Sequence, residues 1–143
     1  MKINIIFGLI FTMFLINNVH GKVSMEGLRK MVKSFKAPCI EQSGVSPDLI
    51  VEAHIGGNFV DDPQFKCYLM CLFKKFKTIK DGKLSTSTMK SQIQSLVEEN
   101  TASRIIQLLE ACDHLTVHED LCEASFAYCK CYYEIDSSFY IFP

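Results

Sequence analysis

A cysteine side chain can crosslink, ligate a metal or act as a thiolate nucleophile, and this 143-residue chain carries seven of them. Six follow the pattern Cys39-x27-Cys67-x3-Cys71-x40-Cys112-x9-Cys122-x8-Cys131, and Cys129 is the seventh. Which chemistry applies depends on the redox compartment. In a short exported chain, cysteines at this density read as a disulfide framework.

The N-terminus points to export. Lys2 supplies a small positive region, and Ile5 to Ile16 is an almost unbroken apolar run of 12 residues. Val19 and Gly21 suit the −3 and −1 positions of a signal peptidase site, so residues 1–21 are expected to be a secretory signal peptide cleaved after Gly21. A membrane anchor would need roughly 20 apolar residues. The mature chain would then be residues 22–143, one domain of 122 residues, secreted and extracellular. Without Lys2 it holds 14 basic and 16 acidic residues, a net charge near −2, which does not suit a nucleic-acid partner. No second long apolar run follows, so membrane contact is not required, and no Asn-x-Ser/Thr sequon is present.

The other chemistries find little support. The oxidising route and the C-x3-C spacing disfavour zinc. Lys80-Asp81-Gly82-Lys83 has a passing likeness to a calcium loop. With Gly82 at loop position 6, however, positions 1, 3 and 12 would be Lys77, Ile79 and Thr88, which cannot supply carboxylates. Cys112-Asp113-His114 is the nearest approach to a calcium-dependent phospholipase site, but the Gly-rich calcium loop is missing. No G-x-S-x-G motif is present. The chain reads as a non-enzyme with no cofactor and no metal.

The elements that position the cysteines read as helices throughout. Met25, Leu28, Met31, Val32 and Phe35 form a helical stripe over Ser24 to Lys36, which Pro38 is expected to end. Ser46-Pro47-Asp48 starts a short second helix, ended by Gly56-Gly57. Asp62-Pro63 starts a third, running to about Ile79 and stopped by Asp81-Gly82. Ser85 to Ser87 opens a fourth, with Met89, Ile93, Leu96 and Val97 on one side. Asn100-Thr101 is expected to break it and cap a fifth, which carries Ile105, Ile106, Leu108, Leu109 and Cys112 and ends near His114. A sixth spans about His118 to Tyr133. No sustained period-2 alternation with hairpin signals is present, so the fold class is all-α with about six helices. The tail, residues 134–143, ends in the apolar run Phe139, Tyr140, Ile141, Phe142 and Pro143 and is expected to fold back onto the body. Cys67 and Cys71, at i and i+4, share one face of the third helix and cannot easily bond to each other. Each must reach a different element, which makes that helix a hub.

The six-cysteine pattern, with C-x3-C and C-x8-C inside a helical chain of this size, resembles that of the insect odorant-binding proteins, the pheromone and general odorant-binding family. The resemblance spans the whole mature chain. It implies helices around an apolar cavity and three disulfides, Cys39–Cys71, Cys67–Cys122 and Cys112–Cys131. Spacing alone leaves 15 connectivities open. Cys129 departs from the pattern. Two residues apart on a helix, Cys129 and Cys131 point about 200° apart, so only one meets Cys112 comfortably. The x8 spacing favours Cys131, leaving Cys129 as a free buried thiol, with intermolecular pairing or exchange with Cys131 as the sharper alternative.

The function implied is that of a soluble carrier reversibly binding small hydrophobic ligands such as odorants or pheromones. The partners implied are a small apolar ligand and an odorant receptor, with the protein a monomer or weak homodimer. The alternative is a secreted effector of the same fold that binds a macromolecule. Inner helix faces offer Leu72, Phe73, Phe76, Met89, Ile93, Leu96, Ile106, Leu109, Phe126 and Tyr128 as ligand-binding candidates, and the tail offers Phe139, Ile141 and Phe142. Any one of these serves core packing equally well. Thr78 offers a hydroxyl to an alcohol or aldehyde, against a plain solvent-facing role. His114 and His118 are candidates for a pH switch, against solvated helix ends. The run Lys66, Lys74, Lys75, Lys77, Lys80 and Lys83 makes the third helix and its exit basic, either as a solvated face or toward an anionic membrane or receptor.

Overall fold

The computed structural model describes residues 21–143, so the expected signal peptide lies, but for Gly21, outside the described residues. The first helical stripe forms α1 (Met25–Lys33), and after a bend at Ser34 and Phe35 a further helix, α2 (Lys36–Ser43), follows beyond the expected end. The Ser24 hydroxyl caps α1, accepting from the Gly27 amide at 3.2 Å. Pro38 does not end the helix as expected. It sits in the first turn of α2, where an amide would have no partner within the helix, so its missing N–H costs nothing.

Helix α3 (Pro47–Gly56) begins with proline in its first turn and ends at Gly57. Gly57 has φ +66°, and a Cβ there would lie 2.7 Å from the Tyr133 ring, so both the turn and the close approach of the last helix require glycine. Helix α4 (Pro63–Lys75) is capped by Asp62, whose carboxylate accepts from the Phe65 amide at 2.8 Å. It stops short of the expected Ile79. Lys77 takes φ +56°, and residues 79–84 form a minimal hairpin, β1 (Ile79–Lys80) with β2 (Lys83–Leu84), around left-handed Asp81 and Gly82. Among the described residues this hairpin and the bridge between Val23 and Val97 are the small exceptions to the all-helical reading.

Helices α5 (Thr86–Leu96) and α6 (Glu99–Ala111) are separated at Val97 and Glu98 rather than at Asn100-Thr101. The reason is tertiary. Val97 is fully buried and extended, and the strand-like segment around Val23 bonds on both sides of it: the Val23 amide donates to Leu96 at 2.7 Å, and the Glu98 amide donates to Val23 at 3.0 Å. A 3-10 turn at Asp113–Leu115 leads to α7 (Leu121–Ile135), capped by Asp120. The six expected helices are thus joined by a seventh among the described residues, α2, which lies where no helix was expected.

The long α4 and α7 pack face to face at the centre. Three disulfides, Cys39–Cys71, Cys67–Cys122 and Cys112–Cys131, crosslink the shell as the resemblance implied. The hub is explicit: Cys71 ties α4 to α2, and Cys67 ties it to α7. Cys129 is free and fully buried. After α7 a 3-10 turn at Ser137–Phe139 sends the tail back into the core, where Tyr140, Ile141 and Phe142 are all buried.

Candidate functional site

A pocket enclosing about 60 Å³ lies between α1, the end of α4, α5, α6 and the tail. Its walls follow from helical periodicity. Leu28 and Met31 project from one face of α1, Phe73 and Phe76 from α4, Met89, Ile93 and Leu96 from α5, and Ile105 and Leu109 from α6. Ile141 and Phe142 of the tail close it. Met31 and Leu96, 40% and 43% exposed, stand at its rim. Only two polar side chains line it, Thr78 and Gln92.

Thr78 is not solvent-facing. It is 2% exposed, and its hydroxyl donates to the Phe73 carbonyl at 3.1 Å, as does its own amide. The left-handed turn at Lys77 swings it inward beneath the end of α4. With its proton committed to the backbone, Thr78 offers the pocket only hydroxyl lone pairs. The Gln92 amide donates from Nε2 to the Phe76 carbonyl at 2.9 Å, leaving its own carbonyl oxygen as an acceptor. The pocket is apolar with a pair of hydrogen-bonding groups beside the α4–β1 turn.

The tail is the least regular wall and the most heavily anchored. Phe142 packs against Phe73, Phe76 and Tyr132 with ring centroids 5.2, 6.3 and 6.1 Å away. Its carbonyl accepts from His54 Nδ1 at 3.2 Å, and Tyr132 donates to the Phe139 carbonyl at 3.2 Å. Tyr68 donates to the Pro143 carbonyl and Arg29 to that of Ser138. Side chains from α1, α3, α4 and α7 thus satisfy a backbone that, beyond one 3-10 turn, has no helix or sheet of its own.

Of the residues singled out in the sequence, Phe73, Phe76, Thr78, Met89, Ile93, Leu96, Leu109, Ile141 and Phe142 come together around this pocket. The others lie elsewhere. Leu72 is wholly within the packed core. Ile106 turns away from the pocket wall, where its neighbour Ile105 stands. Phe126 packs on Phe59 and Phe65 and lies beneath the Lys66 ammonium. Tyr128 is buried with its hydroxyl donating to the Leu109 carbonyl at 2.9 Å, and Phe139 is half-buried beside Tyr132. Leu28, Met31, Ile105 and Gln92 are lining residues the sequence did not single out. The α1 stripe was visible, but nothing in it said which helix α1 would meet.

Charged groups also sort themselves. Lys66 does not belong to the exposed basic face: it is buried between Asp61 and Glu123, 2.5 and 2.6 Å away, and hydrogen bonds to those carboxylates raise its pKa. Lys74, Lys75, Lys77, Lys80 and Lys83 are exposed. His114 and His118 are exposed and away from the pocket, whereas His54 contacts the tail. Burial pushes the Cys129 thiol well up, so it stays protonated and behaves as a small apolar side chain. Among the described residues no group of three or more His, Cys, Asp or Glu is placed to hold a metal ion, and no helix is long and apolar enough to cross a membrane.

Comparison with known proteins agrees with this architecture. Residues 22–135 match the model of the PBP/GOBP family. General odorant-binding protein 72 of Anopheles gambiae is 28% identical over 122 residues, covering 85% of this chain and 99% of that protein. Among solved structures, odorant binding protein 4 of Chrysopa pallens superposes with a TM-score of 0.71 at 25% identity, over 81% of this chain and 95% of the other. Apis mellifera odorant binding protein 5 gives a TM-score of 0.74 at 20% identity, over 86% and 100%, a likeness of fold.

Proposed function

Because the chain belongs to the PBP/GOBP family, a family of carriers for small hydrophobic molecules rather than of enzymes, we propose that it reversibly binds small apolar ligands in the pocket between α1, α4, α5, α6 and the tail. The observation that carries this reading is the lining: eleven of its thirteen residues are apolar, drawn from four helices and the tail, and the two polar ones, Thr78 and Gln92, both donate to carbonyls at the end of α4. Apolar walls with a few placed polar groups suit such ligands. The Gln92 carbonyl oxygen and the Thr78 lone pairs favour a ligand with one hydroxyl donor, a medium-chain alcohol.

At about 60 Å³ the pocket is far below the roughly 300–1,000 Å³ of small-molecule sites. Loading therefore requires Phe142, held in the pocket by packing, to turn out and yield its volume. The three disulfides keep the surrounding shell in place while that happens. They also support export into an oxidising compartment, with residues 1–21 removed and residues 22–143 acting as a single domain. An odorant receptor is the proposed downstream partner, and the carrier works as a monomer or weak homodimer.

The test is displacement of an apolar fluorescent probe from the purified, disulfide-bonded protein. Medium-chain alcohols are expected to displace it, and Gln92→Leu to weaken the alcohols more than the matching alkanes. Failure to take up any probe would reject the carrier reading and favour an effector that binds a macromolecule.

A further inference from the structure

On the outer side of the tail lies a second, larger concavity. An open cleft of about 360 Å³ runs between the α1–α2 bend and α3, with Tyr140, Ile141 and Pro143 as its floor. Ile141 lines this cleft and the inner pocket alike, so the tail is the wall between them. The volume is in the range of small-molecule sites.

The cleft has two chemically distinct halves. One is cationic. Arg29 and Lys33 are four residues apart on one face of α1, and Lys36 opens α2. No acidic side chain among the described residues lines the cleft. Among the described residues, ion pairs engage Lys30, Lys66, Lys90, Arg104 and Lys130 but none of these three. Arg29 donates one guanidinium N–H to the Ser138 carbonyl, which fixes the group at the cleft and leaves further donors free. The other half is apolar. Ile50 is buried at its base, while Val51 and Ile55, one turn apart on α3, stay 47% and 77% exposed. Those two are among the few large apolar side chains left at the surface.

We propose that this cleft binds a single-chain amphiphilic anion, a fatty-acid carboxylate, with its head group on Arg29, Lys33 and Lys36 and its chain along Ile50, Val51 and Ile55. Three unpaired cations beside an apolar strip complement one negative head joined to an alkyl chain. An alcohol would leave the cations unanswered, and a free inorganic anion would leave the strip wet. A concave cleft fits one chain better than a bilayer surface. Apart from the shared wall residue Ile141 the site is separate from the inner pocket in residues and in ligand class, and it stands whether or not the inner pocket carries an alcohol.

Calorimetric titration of the purified, disulfide-bonded protein with sodium decanoate below its micellar concentration, and with decan-1-ol, tests this. The double variant Lys33→Glu/Lys36→Glu is expected to weaken decanoate by about tenfold or more while leaving decanol unchanged. Ile55→Glu, at an exposed position, is expected to do the same, with far-UV circular dichroism confirming that both variants fold. Amide NMR shifts on α3 should follow decanoate and not decanol. Decanoate affinity unchanged in both variants would overturn the proposal. A parallel loss of decanol, or binding seen only to anionic vesicles and not to monomeric decanoate, would overturn it too. None of Lys33, Lys36 and Ile55 lines the inner pocket, so a failure of alcohol carriage leaves this result interpretable.

Discussion

Phe142 concentrates the tension between a filled core and a binding site. Its ring completes an aromatic cluster with Phe73, Phe76, Tyr132 and Tyr140, and in doing so occupies the space that the proposed ligand would need. Phe142→Ala should lower stability by about 3–5 kcal/mol, the usual cost of removing a buried aromatic ring. An apolar alcohol should then restore more of the melting temperature in the variant than it adds to the parent, because a bound ligand stabilises by mass action and the variant has room for it. Equal ligand-induced shifts in both proteins would place Phe142 outside the site. Cys129, wholly buried with a raised pKa, should resist a thiol reagent in the native protein and react once the chain is unfolded. Rapid native-state labelling would contradict its burial. The sequence alone singled out both residues, one for its apolar tail and one for its misfit to the cysteine pattern. Gln92 was not legible, because a glutamine on a polar stretch of helix gains meaning only when the Phe76 carbonyl and the pocket are beside it.

At the scale of elements, α4 carries the design. Two cysteines at i and i+4 bolt it to α2 and α7, through loops of 32 and 55 residues. On the chain-entropy account each link contributes about 3–4 kcal/mol. Replacing the pair Cys67 and Cys122 by serine should therefore cost on that order in denaturant unfolding, with Cys39–Cys71 still holding α4 to α2. The tail is the complementary element, with anchors but no regular structure beyond its 3-10 turn. Deleting residues 139–143 should weaken ligand binding while leaving far-UV helicity intact, since it removes a wall and no helix. Unchanged affinity would remove the tail from the site. Helix α1 shows where local reading stopped. Pro38 looked like a terminator, yet it occupies a first-turn position after a bend, and only the packing of Phe35 against Phe76, with centroids 5.3 Å apart, shows why the chain turns there.

For the molecule as a whole, stability should form a plateau with an alkaline edge. Burial, the leading cause for each, raises the phenol pKa values of Tyr68, Tyr128, Tyr132 and Tyr140, and hydrogen bonds to Asp61 and Glu123 raise that of Lys66. A group whose pKa is raised on folding stabilises fully below its unfolded value, and that contribution fades as pH climbs through the folded one. The melting temperature should therefore fall steeply above about pH 10, the unfolded tyrosine value. The ultraviolet signal of tyrosinate from these four should rise together with loss of the helical signal. Tyrosinate forming at ordinary pH in a still-folded protein would refute the burial. On the acid side Asp136 works in the opposite sense. Hydrogen bonds first from Ser138 and then from Arg104 lower its pKa, so its contribution is present above about pH 4 and lost as pH falls through the folded value.

The amino-acid sequence by itself determined the helical class, the helix start at Asp62-Pro63, the hub on α4 and a cysteine pattern specific enough to indicate a family. These depend on periodicity, capping and spacing, which are properties of neighbours along the chain. The tertiary structure decided the rest: the break at Val97, the inward turn of Thr78, the exchange of Ile106 for Ile105 at the pocket wall, the burial of Lys66 and the position of the tail between two concavities. Each of these depends on which surface a residue meets from a distant part of the chain. Periodicity gives a helix its apolar face, but the partner for that face is chosen only when the whole shell closes.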